Sequence, residues 1–99
     1  MAMSRDRGTQ KQLRDYGYGQ VCDAAGQPIV GYLMTGANQE HGILSRADEV
    51  DKDIARRFPV GTQLRILPNH ACATGAQFPE YHAVNGQGVG PTWSRFYGW

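Results

Sequence analysis

Short alternating runs of apolar and polar residues, separated by turn-forming residues, make up most of this chain. It has 99 residues, among them thirteen glycines and five prolines, which divide the sequence into pieces of strand length. The alternation predicts six strands, at residues 18–22, 29–34, 39–44, 64–67, 81–84 and 89–95. This pattern is typical of a mainly β domain, built as a small antiparallel β-sandwich or a partly open barrel.

Two turns and one short helix complete the predicted architecture. The run 23–28 is rich in turn-forming residues, so the strands on either side of it should pair as an antiparallel hairpin. The run 85–88 should close a second hairpin in the same way. Between residues 47 and 58, apolar residues recur at four-residue steps, which predicts a short amphipathic helix that Pro59 stops. Residues 71–77 fit either a helical turn or a loop.

Length and charge restrict the classes of function. The length suffices for one modest core, so we expect a polar lead-in over residues 1–17 and a single β-domain over residues 18–99. The formal net charge of +1 gives no electrostatic basis for binding nucleic acid. No apolar run is long enough to span a membrane, and the first residues lack the apolar core of a signal peptide. We therefore expect a cytoplasmic protein.

The pair His70 and Cys72 is the strongest candidate for chemistry, because an imidazole and a thiolate are good ligands for a divalent metal. On an extended backbone, residues two apart project from one face, roughly 6.5–7 Å apart at Cα, so both side chains can reach one ion. The preceding strand at 64–67 predicts that arrangement. Two protein ligands would leave coordination positions open for water or substrate, as in catalytic sites, and a thiolate favours zinc.

The alternative is that His70 and Cys72 are structural, since an isolated cysteine is more often a small inert apolar residue than a ligand. We expect Cys22 and Cys72 to be reduced, because disulfides are rare in proteins that are not secreted. Oxidation would also remove the thiolate that a metal needs.

Other polar residues are weaker candidates. Glu40 and His41 place a carboxylate beside an imidazole and are candidate catalytic residues, or else an exposed pair where a loop meets a strand. His82 is either a third metal ligand or an ordinary surface histidine on a strand. Asn69 and Thr74 flank the pair and could orient its ligands through hydrogen bonds.

The end of the chain is aromatic, and its four large rings are expected to pack in a core or at a domain interface: Trp93, Phe96, Tyr97 and Trp99. The two lysines, Lys11 and Lys52, lie in polar or charged stretches. Neither has the apolar surroundings that would make it a nucleophile.

Four segments, in order along the chain, resemble the C-terminal domain of the D-serine dehydratase and D-threonine aldolase family: residues 4–9, 38–43, 67–72 and 93–99. The block from Pro68 to Cys72, Pro-Asn-His-Ala-Cys, is the most specific of them. The resemblance implies a pyridoxal-phosphate enzyme of the alanine-racemase type, a homodimer with an N-terminal α/β barrel and a C-terminal β-domain. It also implies that His70 and Cys72 hold a divalent metal, usually zinc, beside the cofactor.

The activity that the resemblance implies is that of a lyase acting on a D-3-hydroxy amino acid. Dehydration would release a 2-oxo acid and ammonia, and retro-aldol cleavage is the alternative. Aldolase relatives tend to carry aspartate where this chain has Cys72, which favours the dehydratase. A metal would act as a Lewis acid on the departing hydroxyl, and pyridoxal phosphate would supply the electron sink.

The barrel that would bind pyridoxal phosphate needs roughly 200 residues or more and is absent from this sequence. We therefore expect a C-terminal domain that requires a barrel in cis or in trans, binds metal weakly alone and is inactive alone. Two alternatives remain: a standalone metal-binding β module, and an interaction domain in which His70 and Cys72 are structural.

Overall fold

The described part of the chain forms two antiparallel sheets and two short helices. A computed structural model describes residues 3–6, 12–86 and 88–96. Its elements, in chain order, are β1 (Gly19–Cys22), β2 (Pro28–Ala37), β3 (Gly42–Arg46), α1 (Ile54–Arg57), β4 (Arg65–Pro68), α2 (Ala71–Gly75), β5 (Glu80–Val84) and β6 (Val89–Ser94). The predicted mainly β fold is confirmed, although a second helix is present and no closed barrel forms among these residues.

The larger sheet has four strands in the order β3-β2-β1-β4. The predicted hairpin of β1 and β2 is present, and β4 pairs antiparallel with the other edge of β1. Asp23 builds the hairpin turn, because its carboxylate accepts hydrogen bonds of 2.9 Å from the backbone nitrogens of Ala25 and Gln27. Gly26 completes that turn at a φ of +91°, where a side chain would be strained.

The core lies on this sheet. Val21 and Cys22 in the central strand β1 are fully buried, and Tyr32 and Met34 in β2 are nearly so. Partly buried apolar side chains from several elements and from the chain next to them pack around these four: Met3, Tyr18, Ile29, Leu44, Ile54, Phe58, Leu64 and Ile66. The two inner strands, β1 and β2, therefore carry the residues that are removed from water.

The helix predicted over residues 47–58 forms only at Ile54–Arg57. In the chain before the helix, two aspartate side chains make local contacts. Asp48 pairs with Arg46, and the Asp51 carboxylate accepts a 2.9 Å hydrogen bond from the backbone nitrogen of Asp53. Such local bonds compete with helix formation. Val50 is also exposed, so only the later part of the apolar pattern faces the core.

Strand β3 begins three residues later than the predicted start of 39–44. The backbone nitrogen of Asn38 donates a 2.8 Å hydrogen bond to the carbonyl of His41, which closes a tight turn after β2. Residues 39–41 are therefore in a loop, and the strand runs from Gly42 to Arg46.

The second sheet is the predicted hairpin of β5 and β6. Gly86 in its turn has a φ of +85°, and residue 87 lies outside the described residues. All six residues of β6 are exposed, including Trp93, and Phe96 beyond it is exposed too. Of the two expected alternatives, core packing is therefore wrong for these two aromatics, and packing at a domain interface stays a prediction. Tyr97 and Trp99 lie outside the described residues.

The hairpin is joined to α2 by two side chains. The Tyr81 hydroxyl donates a 3.1 Å hydrogen bond to the carbonyl of Gly75, and the Arg95 guanidinium donates one of 2.8 Å to the carbonyl of Ala76. In the part of the chain that the structure describes, no helix has the length and apolar character needed to cross a membrane.

Candidate metal centre

His70 and Cys72 lie where strand β4 gives way to helix α2. His70 precedes the helix in an extended conformation, with φ −132° and ψ 110°, and Cys72 lies in the first turn of α2. The backbone nitrogen of Ala76 donates a 3.0 Å hydrogen bond to the carbonyl of Cys72, so the chain is already helical there. The expectation that both residues share a strand is therefore wrong for Cys72.

The His70 imidazole is half-buried and has two unlike nitrogens. Nδ1 is buried and has no hydrogen-bond partner among the described residues. Nε2 lies 3.9 Å from Oδ2 of Asp6, close enough for an electrostatic interaction but too far for a hydrogen bond. A buried polar atom without a partner is costly, and a metal ion is one partner that would satisfy Nδ1.

Cys72 is an exposed free thiol, and Cys22 is a free thiol inside the core. The structure places no disulfide between them, and their reduced state stays a prediction. Burial removes Cys22 from any surface chemistry, so Cys72 is the cysteine that can reach a ligand. Thr74 lies on the same short helix, two residues beyond Cys72.

A third protein ligand is not found among the residues that the structure describes, where no three His, Cys, Asp or Glu side chains cluster closely enough to hold an ion. His82 lies on the surface of the second sheet: its Nδ1 is 3.0 Å from the Thr92 hydroxyl, and its Nε2 is 3.4 Å from Glu80. The alternative interpretation of His82 as a surface histidine is thus confirmed. Among the described residues, His70 and Cys72 therefore remain the candidate ligands.

Asn69 holds a distant segment against the site. Its amide nitrogen donates hydrogen bonds of 2.9 Å to the carbonyls of Arg5 and Asp6, and its amide oxygen accepts one from Gln12. Its backbone nitrogen donates to the carbonyl of Tyr18 at 3.0 Å, which continues the ladder of β4. Sequence reasoning named Asn69 but missed Asp6 and Gln12, because nothing local in the sequence indicates a contact across so many residues.

Glu40 and His41 are exposed in the loop before β3, as the alternative interpretation held. With Met3 and Tyr18 they line an open depression of about 770 Å³. Met3 belongs to the segment that Asn69 holds beside His70, so this depression adjoins that segment.

The clearest pKa shifts belong to a different cluster, which the sequence did not reveal. The Tyr32 hydroxyl donates a hydrogen bond to Asp51, and this bond holds the pKa of the Asp51 carboxyl below its usual range and raises the pKa of Tyr32. The Arg57 guanidinium lies 3.5 Å from the same carboxylate and 5.6 Å from the Tyr32 ring centre. The cluster connects the loop before α1 to the core, which is a structural role.

The fold and the site together define the class: a mainly β domain that carries a His-x-Cys pair at a strand–helix junction. The model of the family described as "Putative serine dehydratase domain" matches residues 1–84. Because that match covers most of the chain, the chain belongs to this family.

Known relatives agree with this assignment. The chain is 65% identical, over its whole length, to D-threo-3-hydroxyaspartate dehydratase from Delftia sp. (strain HT23), of which it covers the C-terminal 26%. It is 38% identical to D-serine dehydratase from Saccharomyces cerevisiae over 69% of this chain and 16% of that protein. The chain thus spans about a quarter or less of the length of these curated relatives.

Solved structures match the same region. A histidine-to-alanine mutant of D-threo-3-hydroxyaspartate dehydratase superposes with a TM-score of 0.85 at 64% identity, over 99% of this chain and 25% of that one. A cysteine-to-alanine mutant of the same enzyme, in the metal-free form, gives 0.84 over 99% of this chain and 26% of that one, also at 64% identity. The two substituted residues are two positions apart in that enzyme. An ala racemase-like protein from Idiomarina loihiensis gives 0.77 at 48% identity, over 99% of this chain and 26% of that one.

Proposed function

We propose that this chain is the metal-bearing C-terminal domain of a pyridoxal-phosphate-dependent D-3-hydroxy amino acid dehydratase, which releases a 2-oxo acid and ammonia. Identity of 65% over the whole chain to a dehydratase of a D-3-hydroxy amino acid supports this function. The yeast relative, a D-serine dehydratase, supports the same reaction class with a smaller substrate.

We propose further that His70 and Cys72 hold the metal. The observation that carries this proposal is the spacing: the substituted histidine and cysteine of the solved dehydratase mutants are two positions apart, and this sequence has one His-x-Cys pair. The unpartnered Nδ1 of His70 and the exposed thiol of Cys72 suit a pair of ligands. Thiolate ligation favours zinc over harder divalent ions.

In this proposal, the residues of this chain bind the metal and hold it in position. His70 must present a neutral ring nitrogen, and Cys72 a thiolate, since both need a free lone pair to coordinate. When bound, the metal supplies a Lewis acid for the departing hydroxyl, and pyridoxal phosphate supplies an electron sink. Glu40 and His41, in the adjoining depression, remain candidates for a catalytic role.

The cofactor would be bound by a part of the protein outside these residues. The match to the C-terminal quarter of a longer relative supports an N-terminal domain in cis, and the Idiomarina relative supports an alanine-racemase-like barrel for it. In this proposal residues 1–17 lead into a single β-domain at residues 18–99, and the enzyme is a cytoplasmic homodimer.

The test uses the complete protein that carries this chain. Bound metal is counted by elemental analysis, and ammonia release is assayed with D-threo-3-hydroxyaspartate and with D-serine. We expect His70→Ala and Cys72→Ala each to lose the metal and the activity, because a single remaining ligand holds an ion poorly. His82→Ala is the matched control and should keep both.

Three results would contradict the proposal. A wild-type protein without metal would overturn the site, as would a His70→Ala variant that keeps metal and full activity. Release of glycine and an aldehyde, without ammonia, would overturn the dehydratase assignment in favour of retro-aldol cleavage.

A further inference from the structure

Asp6 is the charged group that faces the His70 ring. Its Oδ2 lies 3.9 Å from Nε2, whereas Nδ1 is buried and has no hydrogen-bond partner among the described residues. The two ring nitrogens are therefore in different environments, one near a carboxylate and one without a polar partner. In a neutral imidazole only one nitrogen carries the proton, and a nearby carboxylate favours the proton on the nitrogen that faces it.

The position of Asp6 depends on the residue next to His70. The Asn69 amide donates to the carbonyls of both Arg5 and Asp6, so the residue before the ligand fixes the backbone that carries the carboxylate. Two further contacts hold the same segment: Arg5 forms an ion pair of 3.2 Å with Asp15, and Met3 packs against the core. The approach of Asp6 to His70 is thus built from several contacts.

We propose that Asp6 is a positioning residue for the metal ligand His70, and that Asn69 holds it in place. The carboxylate keeps the proton on Nε2, which leaves the lone pair of Nδ1 for the metal. Histidines that bind metals commonly direct their other N–H to a carboxylate, which fixes the tautomer and makes the ligand more basic. This inference rests on the proposed metal site and adds its outer partner.

The first test measures metal affinity of the complete protein by competition titration with zinc. Asp6→Asn should weaken binding about ten- to a hundredfold, the usual effect of losing such a partner, and Asp6→Glu should restore part of it. Asp53→Asn is the matched control: it removes an equally exposed carboxylate that pairs with Arg56 on α1 and takes no part in holding Asp6, and affinity should be unchanged. Equal affinity of wild type and Asp6→Asn would overturn the inference.

The second test identifies the ligating nitrogen. In zinc-loaded protein labelled with 15N-histidine, the His70 resonances should show a metal-bound Nδ1 and a protonated Nε2. A metal on Nε2 would overturn the inference, because Asp6 would then face the ion itself. A purely structural role for Asp6 would not produce this signature.

A double-mutant cycle tests the role of Asn69. Asn69→Ala should weaken metal binding. Adding Asp6→Asn should lower the affinity little further, because Asn69 no longer fixes the backbone that carries the Asp6 carboxylate. Additive losses would contradict the link between the two residues. Failure of the wild type to bind zinc would instead overturn the proposed function, so the two failures are distinguishable.

Discussion

The four-stranded sheet and the β5–β6 hairpin are built from similar residues but differ in what covers them. Val21 in the sheet is fully buried, whereas Val89 in the hairpin is 72% exposed. The sheet has its own core, completed by Tyr32 and Met34, and none of the described hairpin residues is buried. A two-stranded hairpin is marginally stable in water unless it packs against something else. The comparison shows that the sheet has a buried core of its own, whereas the hairpin depends on further contacts.

The largest expected difference is in stability. Val21→Ala should lower the free energy of unfolding by about 2 kcal/mol, because two methyl groups leave a packed core. Val89→Ala makes the same chemical change on an exposed strand and should stay within about 0.5 kcal/mol of wild type. Urea unfolding of both variants measures the two effects. Equal losses would mean that the hairpin is as well packed as the sheet.

The next expected effect is on association. Phe96 is 92% exposed and Trp93 is 60% exposed at the hairpin, so the 99-residue chain by itself should self-associate. Phe96→Ser should reduce association in sedimentation velocity across a concentration series. Val30→Ser, which removes an exposed apolar side chain from the sheet, is the control and should change it less. A wild-type chain that stays monomeric at all concentrations would contradict the prediction.

The smallest expected effect is on the pH dependence of stability, which should differ between a variant in the sheet and a variant in the hairpin. The pKa of Asp51 is lowered by its hydrogen bond from Tyr32, so this bond stabilises the folded sheet at neutral pH and is lost as the pH falls through the lowered value. The pKa of Tyr32 is raised, so the same contribution is also lost when the pH rises through that raised value. Tyr32→Phe should therefore be less stable than wild type at neutral pH. The difference in thermal stability between the two proteins should become smaller in acid.

Tyr81→Phe is the matched control for that measurement. Its hydroxyl donates to a backbone carbonyl on α2 instead of a carboxylate, so its effect on thermal stability should not vary across the acidic range. A gap for Tyr32→Phe that stays constant down to acid pH would mean that Asp51 does not carry the effect.

The sequence predicted the strands and turns that depend on local sequence signals. Alternation located β1, β2 and β4, and Asp23 with the glycine after it marked the first turn. The shortening of α1 was not predicted: besides the local bonds of Asp48 and Asp51, it involves the hydrogen bond from Tyr32 to Asp51, which forms only in the folded chain. Local signals are therefore sufficient for strands and turns but not for side-chain competition that arises only in the folded chain.

The candidate site divides in the same way. The chemistry of His70 and Cys72 was visible in the sequence, and their spacing suggested a strand. Residues 71–75 form a helix, which was one of the two alternatives for residues 71–77, so the two side chains are presented from different elements. The approach of Asp6 is created by the Asn69 amide across most of the chain, and no periodic pattern records such a contact.

The hydrogen bonds of Tyr81 and Arg95 to α2 have a consequence for how tightly an ion could be held. They connect the helix of Cys72 to the hairpin, whereas His70 follows strand β4 of the sheet that contains the core. An ion shared by the two residues would therefore join the two regions, and its affinity would be thermodynamically linked to the ordering of the hairpin. A part of the protein that packs on Trp93 and its neighbours would therefore raise the affinity for the metal without contacting it. Metal binding would in turn strengthen that packing contact by the same free energy.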